Sequence, residues 1–146
     1  MTAAEICPDE AATRQAGARL AKRLSPGDLV LLFGELGAGK TVFVRGLAGG
    51  LGADPAEVSS PTFALVHEYG PEGRPPVLLH ADFYRLQEGT PGFAADLGLD
   101  ERGSAVVAIE WPRPPFTGRR AFRVTIEELP GGVRRVTVEP PPGPAR

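Results

Sequence analysis

Eight consecutive residues of the sequence form a pattern suited to holding phosphate groups. Residues 34–41 read GELGAGKT and match GxxxxGK[ST]. The glycines allow positive φ angles that turn backbone N–H groups inward, and a helix starting there would direct its electropositive end to the same point. By the general mechanics of this motif, Lys40 contacts the outer phosphates of a nucleoside triphosphate and the Thr41 hydroxyl ligates Mg²⁺. The residues predicted to line the nucleotide here are Glu35, Leu36, Gly37, Ala38, Gly39, Lys40 and Thr41.

A missing motif favours one nucleotide over the other. GTP-binding proteins with such a loop usually recognise guanine through an NKxD-type segment. The chain has no asparagine, and neither of its two lysines, Lys22 and Lys40, follows a threonine, so the TKxD variant is absent as well. We therefore predict ATP as the nucleotide and Mg²⁺ as its metal ion.

Two acidic residues stand where a magnesium site would need them. Asp82 comes just after the apolar run 77–79 and His80, and Glu110 follows the apolar run 105–109. Carboxylates at the ends of strands beside a phosphate loop serve the metal ion or the attacking water. Either acid alone could be an ordinary solvated residue, but their recurrence at two strand ends favours a site. We predict a catalytic group of Asp82, Glu110 and Lys40.

Other polar residues allow two interpretations. A hydroxyl-rich loop at residues 59–62 precedes an expected strand, and Thr62 could contact the metal ion or the γ-phosphate as a GTPase switch residue does. The alternative is a simple turn at Ser60 and Pro61. His67 and His80 have no supporting cluster of ligands in the sequence, so we interpret both as structural and assign neither a catalytic role.

The residues around the loop predict the strand and the helix that the motif requires. Residues 28–33 form a short, almost wholly apolar segment, as is typical of a strand buried on both faces. After the loop, apolar residues recur at helical spacing until the glycines at 49, 50 and 52 interrupt them. Before the strand, the apolar residues of 9–24 fall four apart, which predicts a helix capped by Asp9.

The rest of the chain predicts more strands and completes the fold class. Pro and Gly clusters separate further strand-like segments, at 62–69, 77–81, 105–109, 121–127 and 133–139. A short helix is predicted at 87–97. The predicted fold is α/β and similar to P-loop NTPases, with a mixed sheet and flanking helices. With 146 residues we expect a single domain over 1–139 and a proline-rich, disordered tail over 140–146.

Composition limits the partners and the compartment. The formal net charge is −2, so the chain lacks the positive field that would hold a nucleic acid directly, and an RNA role would pass through a partner. The longest apolar runs, five residues each at 29–33 and 105–109, are far below the roughly 18 residues that span a bilayer, so no membrane association is predicted. The single cysteine, Cys7, suits a reducing interior, and we expect the cytoplasm.

Four segments together resemble the TsaE (YjeE) family. They are the phosphate loop, SPTF at 60–63, HADFYRL at 80–86 and IEWP at 109–112, in that order and spacing. The resemblance extends from PDE at 8–10 through the region of Arg134 and leaves out the tail. It implies an ATPase required for the threonylcarbamoyl modification of an adenosine beside the tRNA anticodon. It also implies a complex with TsaD-like and TsaB-like proteins, in which TsaD carries the transfer chemistry and ATP hydrolysis resets the complex.

The resemblance also implies roles for individual residues. Thr41 and Glu110 resemble the magnesium-associated pair, and Asp82 resembles the acid of the HxDxYR motif. Glu10 and Arg134 resemble positions that line the nucleotide. Low intrinsic turnover that depends on partners is implied as well. Two alternatives stay open: a small-molecule kinase in which the arginine-rich stretch 113–120 serves phosphoryl transfer, and a module that binds ATP to stabilise an interface without hydrolysing it.

Overall fold

The computed structural model describes residues 2–35, 37–58, 66–71, 76–82, 105–110 and 120–142. Within these ranges seven strands form one sheet, accompanied by two α-helices and two short 3₁₀ helices, Pro55–Glu57 and Pro130–Gly132. In this part of the chain, no helix has the length and apolar character needed to cross a membrane. The strands are β1 (Ala3–Cys7), β2 (Leu29–Phe33), β3 (Val66–Tyr69), β4 (Leu78–Asp82), β5 (Val106–Glu110), β6 (Ala121–Leu129) and β7 (Val133–Glu139), and the helices are α1 (Glu10–Ala21) and α2 (Lys40–Gly50).

The sheet is mixed, as the sequence predicts, and β2 lies at its centre. The strand order is β1-β7-β6-β2-β5-β4-β3. Strand β2 runs parallel to β5 and β6, and β4 runs parallel to β5, whereas the pairs β1–β7, β6–β7 and β3–β4 are antiparallel. Because the carboxyl ends of parallel strands meet at one edge, the loop after β2 lies beside the ends of β4 and β5.

Several predicted boundaries differ from the structure. Helix α1 ends at Ala21 rather than at residue 24, and its predicted cap is confirmed, since the Asp9 carboxylate accepts a hydrogen bond from the Ala12 N–H at 2.9 Å. Strand β1 was not expected. It is an edge strand on β7 with four of its five residues exposed, so its sequence lacks the apolar alternation that identifies a half-buried strand. The predicted helix at 87–97 and the first residues of the predicted strand 62–69 lie outside the described residues.

The two faces of the sheet carry separate apolar clusters. Along each strand successive side chains alternate between faces. Val30 and Leu32 of β2 pack with Phe43 and Leu47 of α2 and with residues of α1. The side chains between them point the other way and join a second buried cluster, made by Leu29, Leu31, Leu79, Ala81, Ala105, Val107 and Ile109. The alternation therefore decides which strand residues point towards the helices.

Helices α1 and α2 cross closely because each has a glycine at the contact. A Cβ atom at Gly46 of α2 would overlap the backbone carbonyl of Arg14 in α1, and one at Gly17 of α1 would overlap the carbonyl of Phe43 in α2. Backbone atoms cannot rotate away as a side chain can. The crossing thus places the start of α1 near the start of α2, where the phosphate loop ends.

Gly46→Ala is expected to lower the free energy of unfolding by about 2 kcal/mol or more, because the backbone of α1 must move to admit the methyl group. Urea unfolding followed by circular dichroism measures the change. Gly49→Ala is the matched control in the same helix, since its methyl group would meet only the Pro55 ring, at 3.0 Å, and alanine favours the helix by about 1 kcal/mol. Equal unfolding midpoints for the two variants would contradict the close crossing.

Candidate functional site

The loop between β2 and α2 has the backbone shape that its glycines allow. Gly39 is the residue before α2 and has a φ of 109°, in the left-handed region that side-chain-bearing residues rarely adopt. Gly37 has a φ of 81°. Within the loop, the Ala38 N–H donates to the carbonyl of Glu35 at 3.1 Å. The chain thus turns tightly from the central strand into the helix.

The start of α2 combines a buried ammonium group with backbone donors. Lys40 is only 4% exposed, and its Nζ donates to the Gly34 carbonyl at 2.8 Å across the loop. The residue before the helix, Gly39, has no side chain to cap the first-turn N–H groups, in contrast to Asp9 at the start of α1. These N–H groups and the helix dipole make the end of α2 electropositive.

A cavity of about 290 Å³ lies in front of this helix end. Four parts of the chain line it: the start of α1, the loop with the first turn of α2, the end of β5, and the turn into β7. Cationic and anionic groups therefore face the same space. The lining residues are Asp9, Glu10, Thr13, Gly37, Gly39, Lys40, Thr41, Val42, Glu110, Gly132 and Arg134.

The two predicted acids come together at the ends of neighbouring strands. Asp82 and Glu110 are the last residues of β4 and β5 and are register partners. The predicted strands ended one residue earlier, at 81 and 109, whereas in the structure both acids lie within their strands. Glu110 is 4% exposed and lines the cavity. For Asp82 only the backbone placement is described, so its side chain stays a prediction.

Arg134 of β7, which also lines the cavity, hydrogen-bonds the loop. Its Nε donates to the Ala38 carbonyl at 2.7 Å, and an Nη donates to the Gly37 carbonyl at 3.4 Å. Glu128 of β6 lies 3.7 Å from the same guanidinium. In a loop whose N–H groups converge on an anion, the carbonyls point outward and need donors of their own. The guanidinium supplies these donors.

The structure brings most of the predicted site residues together. Glu10, Gly37, Gly39, Lys40, Thr41, Glu110 and Arg134 all line the same cavity. Glu35 is exposed and Ala38 is buried, and neither is part of the lining. Leu36 and Thr62 lie outside the described residues. Their predicted contacts with a nucleotide therefore stay predictions.

His80 has a contact that the sequence interpretation missed. Its Nε2 lies 2.5 Å from Oε2 of Glu110, and the ring is fully buried. The sequence alone could not show this contact, because it depends on the β4–β5 register that places His80 opposite Ala108, two residues before Glu110. The other histidine, His67 of β3, hydrogen-bonds the Tyr69 hydroxyl at 3.0 Å. Burial, together with the nearby His80, lowers the pKa of His67.

A family model and the similar known proteins carry nearly the same description. The family model described as "Threonylcarbamoyl adenosine biosynthesis protein TsaE" matches residues 7–135. The "tRNA threonylcarbamoyladenosine biosynthesis protein TsaE" of Streptomyces coelicolor is 48% identical over 99 residues, which cover 67% of this chain and 66% of that protein. The protein of the same name from Nostoc is 38% identical over 139 residues, covering 90% of this chain and 82% of that protein.

A solved structure is similar over nearly the whole chain. The crystal structure of YdiB from Bacillus subtilis matches with a TM-score of 0.69 and 26% identity, covering 97% of this chain and 87% of that one. The predicted P-loop NTPase-like α/β fold is thereby confirmed. Against some curated relatives the match is shorter and spans about half of their length, 48% for Synechocystis and 51% for Bacillus subtilis.

Proposed function

The chain belongs to the TsaE family of tRNA threonylcarbamoyladenosine biosynthesis proteins, and from this premise we propose that it binds ATP with Mg²⁺ and hydrolyses the ATP in support of that modification. One observation carries the proposal. A single cavity has Lys40, Thr41 and Glu110 in its lining, in front of an electropositive helix end. An ammonium group, a hydroxyl and a carboxylate around one anion-binding point are the groups that a metal-bound triphosphate requires.

The residues present fit the nucleotide and its metal ion. Lys40 would contact the outer phosphates, and the N–H groups of the loop would surround them. Thr41 and Glu110 would hold Mg²⁺, which favours oxygen ligands and is usually bound by one or two protein groups together with substrate phosphates. When bound, the metal ion supplies positive charge to the phosphate oxygens. Asp82, the register partner of Glu110, is the proposed second acid of the site.

The partners belong to the proposal as well. A net charge of −2 gives the chain little attraction for tRNA by itself. We propose that TsaD-like and TsaB-like proteins hold the tRNA in the cytoplasm and that the TsaD-like protein carries the transfer chemistry, while this chain contributes ATP turnover. This division matches the resemblance of the phosphate loop, SPTF, HADFYRL and IEWP segments to that family.

ATP turnover measured with and without the TsaD-like and TsaB-like proteins tests the proposal. We expect slow hydrolysis by the chain alone and faster hydrolysis in the complex. Partners that neither bind the chain nor change its turnover, together with modified tRNA formed in its absence, would refute it. Single-turnover hydrolysis in the complex separates this function from a module that only binds ATP, because such a module would leave the bound nucleotide intact.

The kinase alternative loses part of its support in the structure. It relied on arginines of the stretch 113–120 near the transferred phosphate. Arg120 instead pairs with Asp28 at 2.8 Å, just before β2 and β6 begin. Because β2 and β6 run parallel, this pair lies at the edge of the sheet opposite the phosphate loop. Residues 111–119 lie outside the described residues.

Arg134→Lys is expected to weaken the binding of an ATP analogue about 5- to 10-fold, since a single ammonium group cannot reproduce the two-pronged contact with the loop carbonyls. Isothermal titration with Mg²⁺ and a non-hydrolysable analogue measures it. Arg135→Lys is the matched control, because Arg135 is the next residue of β7 and its side chain pairs with Glu127 at 3.5 Å instead. Equal affinities for the two variants would contradict a role of Arg134 in shaping the loop.

A further inference from the structure

His80 and Glu110 share a face of the sheet because of the strand register. His80 of β4 lies opposite Ala108 of β5, and Glu110 is two residues further along β5. Residues two apart point the same way, so His80, Ala108 and Glu110 share a face. That face is the one covered by the helices, since Leu78 and Ala108 belong to the cluster that includes α2. The histidine therefore approaches Glu110 from beneath the cavity.

Two polar atoms of this pair take no part in the contact: Nδ1 of His80 and Oε1 of Glu110. Nε2 of His80 lies 2.5 Å from Oε2 of Glu110. An ionised carboxylate only accepts hydrogen bonds, so Nε2 is the donor. Nδ1 is buried without a hydrogen-bond partner in the described part of the chain. A proton on Nε2 leaves Nδ1 as a bare acceptor, whereas a proton on Nδ1 would bury an unsatisfied N–H group.

We propose that His80 is a positioning residue for Glu110. Its Nε2–H holds Oε2, keeps the carboxylate turned to the cavity that Lys40 and Thr41 also line, and leaves Oε1 for the metal ion. This inference rests on the proposed function, in which Glu110 serves Mg²⁺. Groups that hydrogen-bond a metal-ligating side chain typically change metal affinity 10- to 100-fold when they are removed.

The contact also explains why a polar ring lies in an apolar core. His80 is fully buried, within the strand that contributes Leu78 and Leu79 to the two apolar clusters. A ring that served packing alone would be replaceable by leucine without cost at Glu110. If the His80 N–H orients the carboxylate, leucine cannot replace it, because the Glu110 side chain without this hydrogen bond samples several rotamers.

Three substitutions of His80 separate positioning from packing. The amide nitrogen of glutamine is four bonds from Cα, as Nε2 of histidine is, so His80→Gln keeps a donor within reach of Glu110. His80→Asn carries the same amide one bond shorter. His80→Leu fills a similar volume and has no donor. His67→Leu, at the chain's other histidine, is the matched control.

The experiment uses the full chain with Mn²⁺ as the probe and a non-hydrolysable ATP analogue. Electron paramagnetic resonance measures the concentration of free Mn²⁺ and so gives the metal affinity. Calorimetry in the presence of a metal chelator gives the affinity for the analogue without metal. We expect His80→Leu and His80→Asn to weaken Mn²⁺ binding about 10-fold or more. Binding by His80→Gln and His67→Leu should stay within about 3-fold of the wild type, and metal-free analogue affinity should change about 2-fold or less.

The outcomes distinguish this inference from the proposed function. If His80→Leu matches the wild type, or if His80→Gln is as weak as His80→Leu, positioning by His80 is overturned while ATP binding stands. If the wild type binds no Mn²⁺ with the analogue, or Glu110→Gln leaves Mn²⁺ affinity unchanged, the metal role of Glu110 falls and this inference falls with it.

A second measurement does not depend on the His80 variants folding. Ring ¹⁵N chemical shifts of the wild-type protein report which nitrogen carries the proton. We expect Nε2 to be protonated, and we expect its resonance to move in Glu110→Gln. A ring protonated on Nδ1 alone would overturn the inference, because Nε2 could then not donate to Glu110.

Discussion

Lys40→Ala should weaken the binding of ATP with Mg²⁺ by about 30-fold or more, equivalent to about 2 kcal/mol. The Lys40 side chain is buried in the lining of the cavity, where low solvent exposure strengthens its attraction for phosphate. Isothermal titration calorimetry with a non-hydrolysable analogue measures the loss. The loss should be large for ATP and small for AMP, since AMP lacks the outer phosphates that the ammonium group would contact.

The loop itself must survive the substitution for this result to be interpreted. Lys40 also donates to the Gly34 carbonyl, so its removal takes a bond from the loop as well as a charge from the site. Lys40→Met keeps most of the buried volume and should lose as much ATP affinity as Lys40→Ala. Lys22→Ala, at the chain's other lysine, is exposed and should bind like the wild type. An ATP affinity within about 3-fold of wild type for Lys40→Met would contradict the phosphate role.

The part of the site that is local in sequence could be predicted well. Strand β2, the loop and helix α2 follow one another, and their apolar periods and glycines specify each turn without reference to the rest of the chain. The Lys40 contact with Gly34 spans only six residues. The cap of α1 by Asp9 is equally local and was predicted too. Short-range patterns therefore identify the anion-binding half of the site.

The other half depends on contacts that no local pattern contains. Arg134 reaches Ala38 across 96 positions, and His80 reaches Glu110 across 30. The family resemblance pointed to Arg134, but its contact with the loop carbonyls follows from the β6–β7 pairing and the place of β6 beside β2. His80 was interpreted as structural because a lone histidine has no signature until the strand register is known. Strand β1 was missed for a related reason, since its pairing with β7 is all that makes it a strand.

The strand register places Glu110 both against His80 and in the lining of the cavity. One side of its carboxylate is held by His80, and the residue also lines the cavity with Thr41. Glu110→Gln keeps an acceptor for the His80 N–H and removes only the charge. Glu110→Ala would also leave a buried N–H unsatisfied, at about 1–3 kcal/mol of stability. Glutamine is therefore the cleaner probe of chemistry.

Glu110→Gln is expected to slow ATP hydrolysis about 100-fold or more while ATP affinity without metal changes about 3-fold or less, because Glu110 serves metal and water placement, which matter most in the transition state. Single-turnover hydrolysis in the proposed complex with TsaD-like and TsaB-like proteins measures the first, and calorimetry in the presence of a metal chelator measures the second. Glu139→Gln, at an exposed acid that also ends a strand, is the matched control and should behave as wild type. Equal losses of binding and hydrolysis would instead show that Glu110 shapes the cavity without serving the reaction.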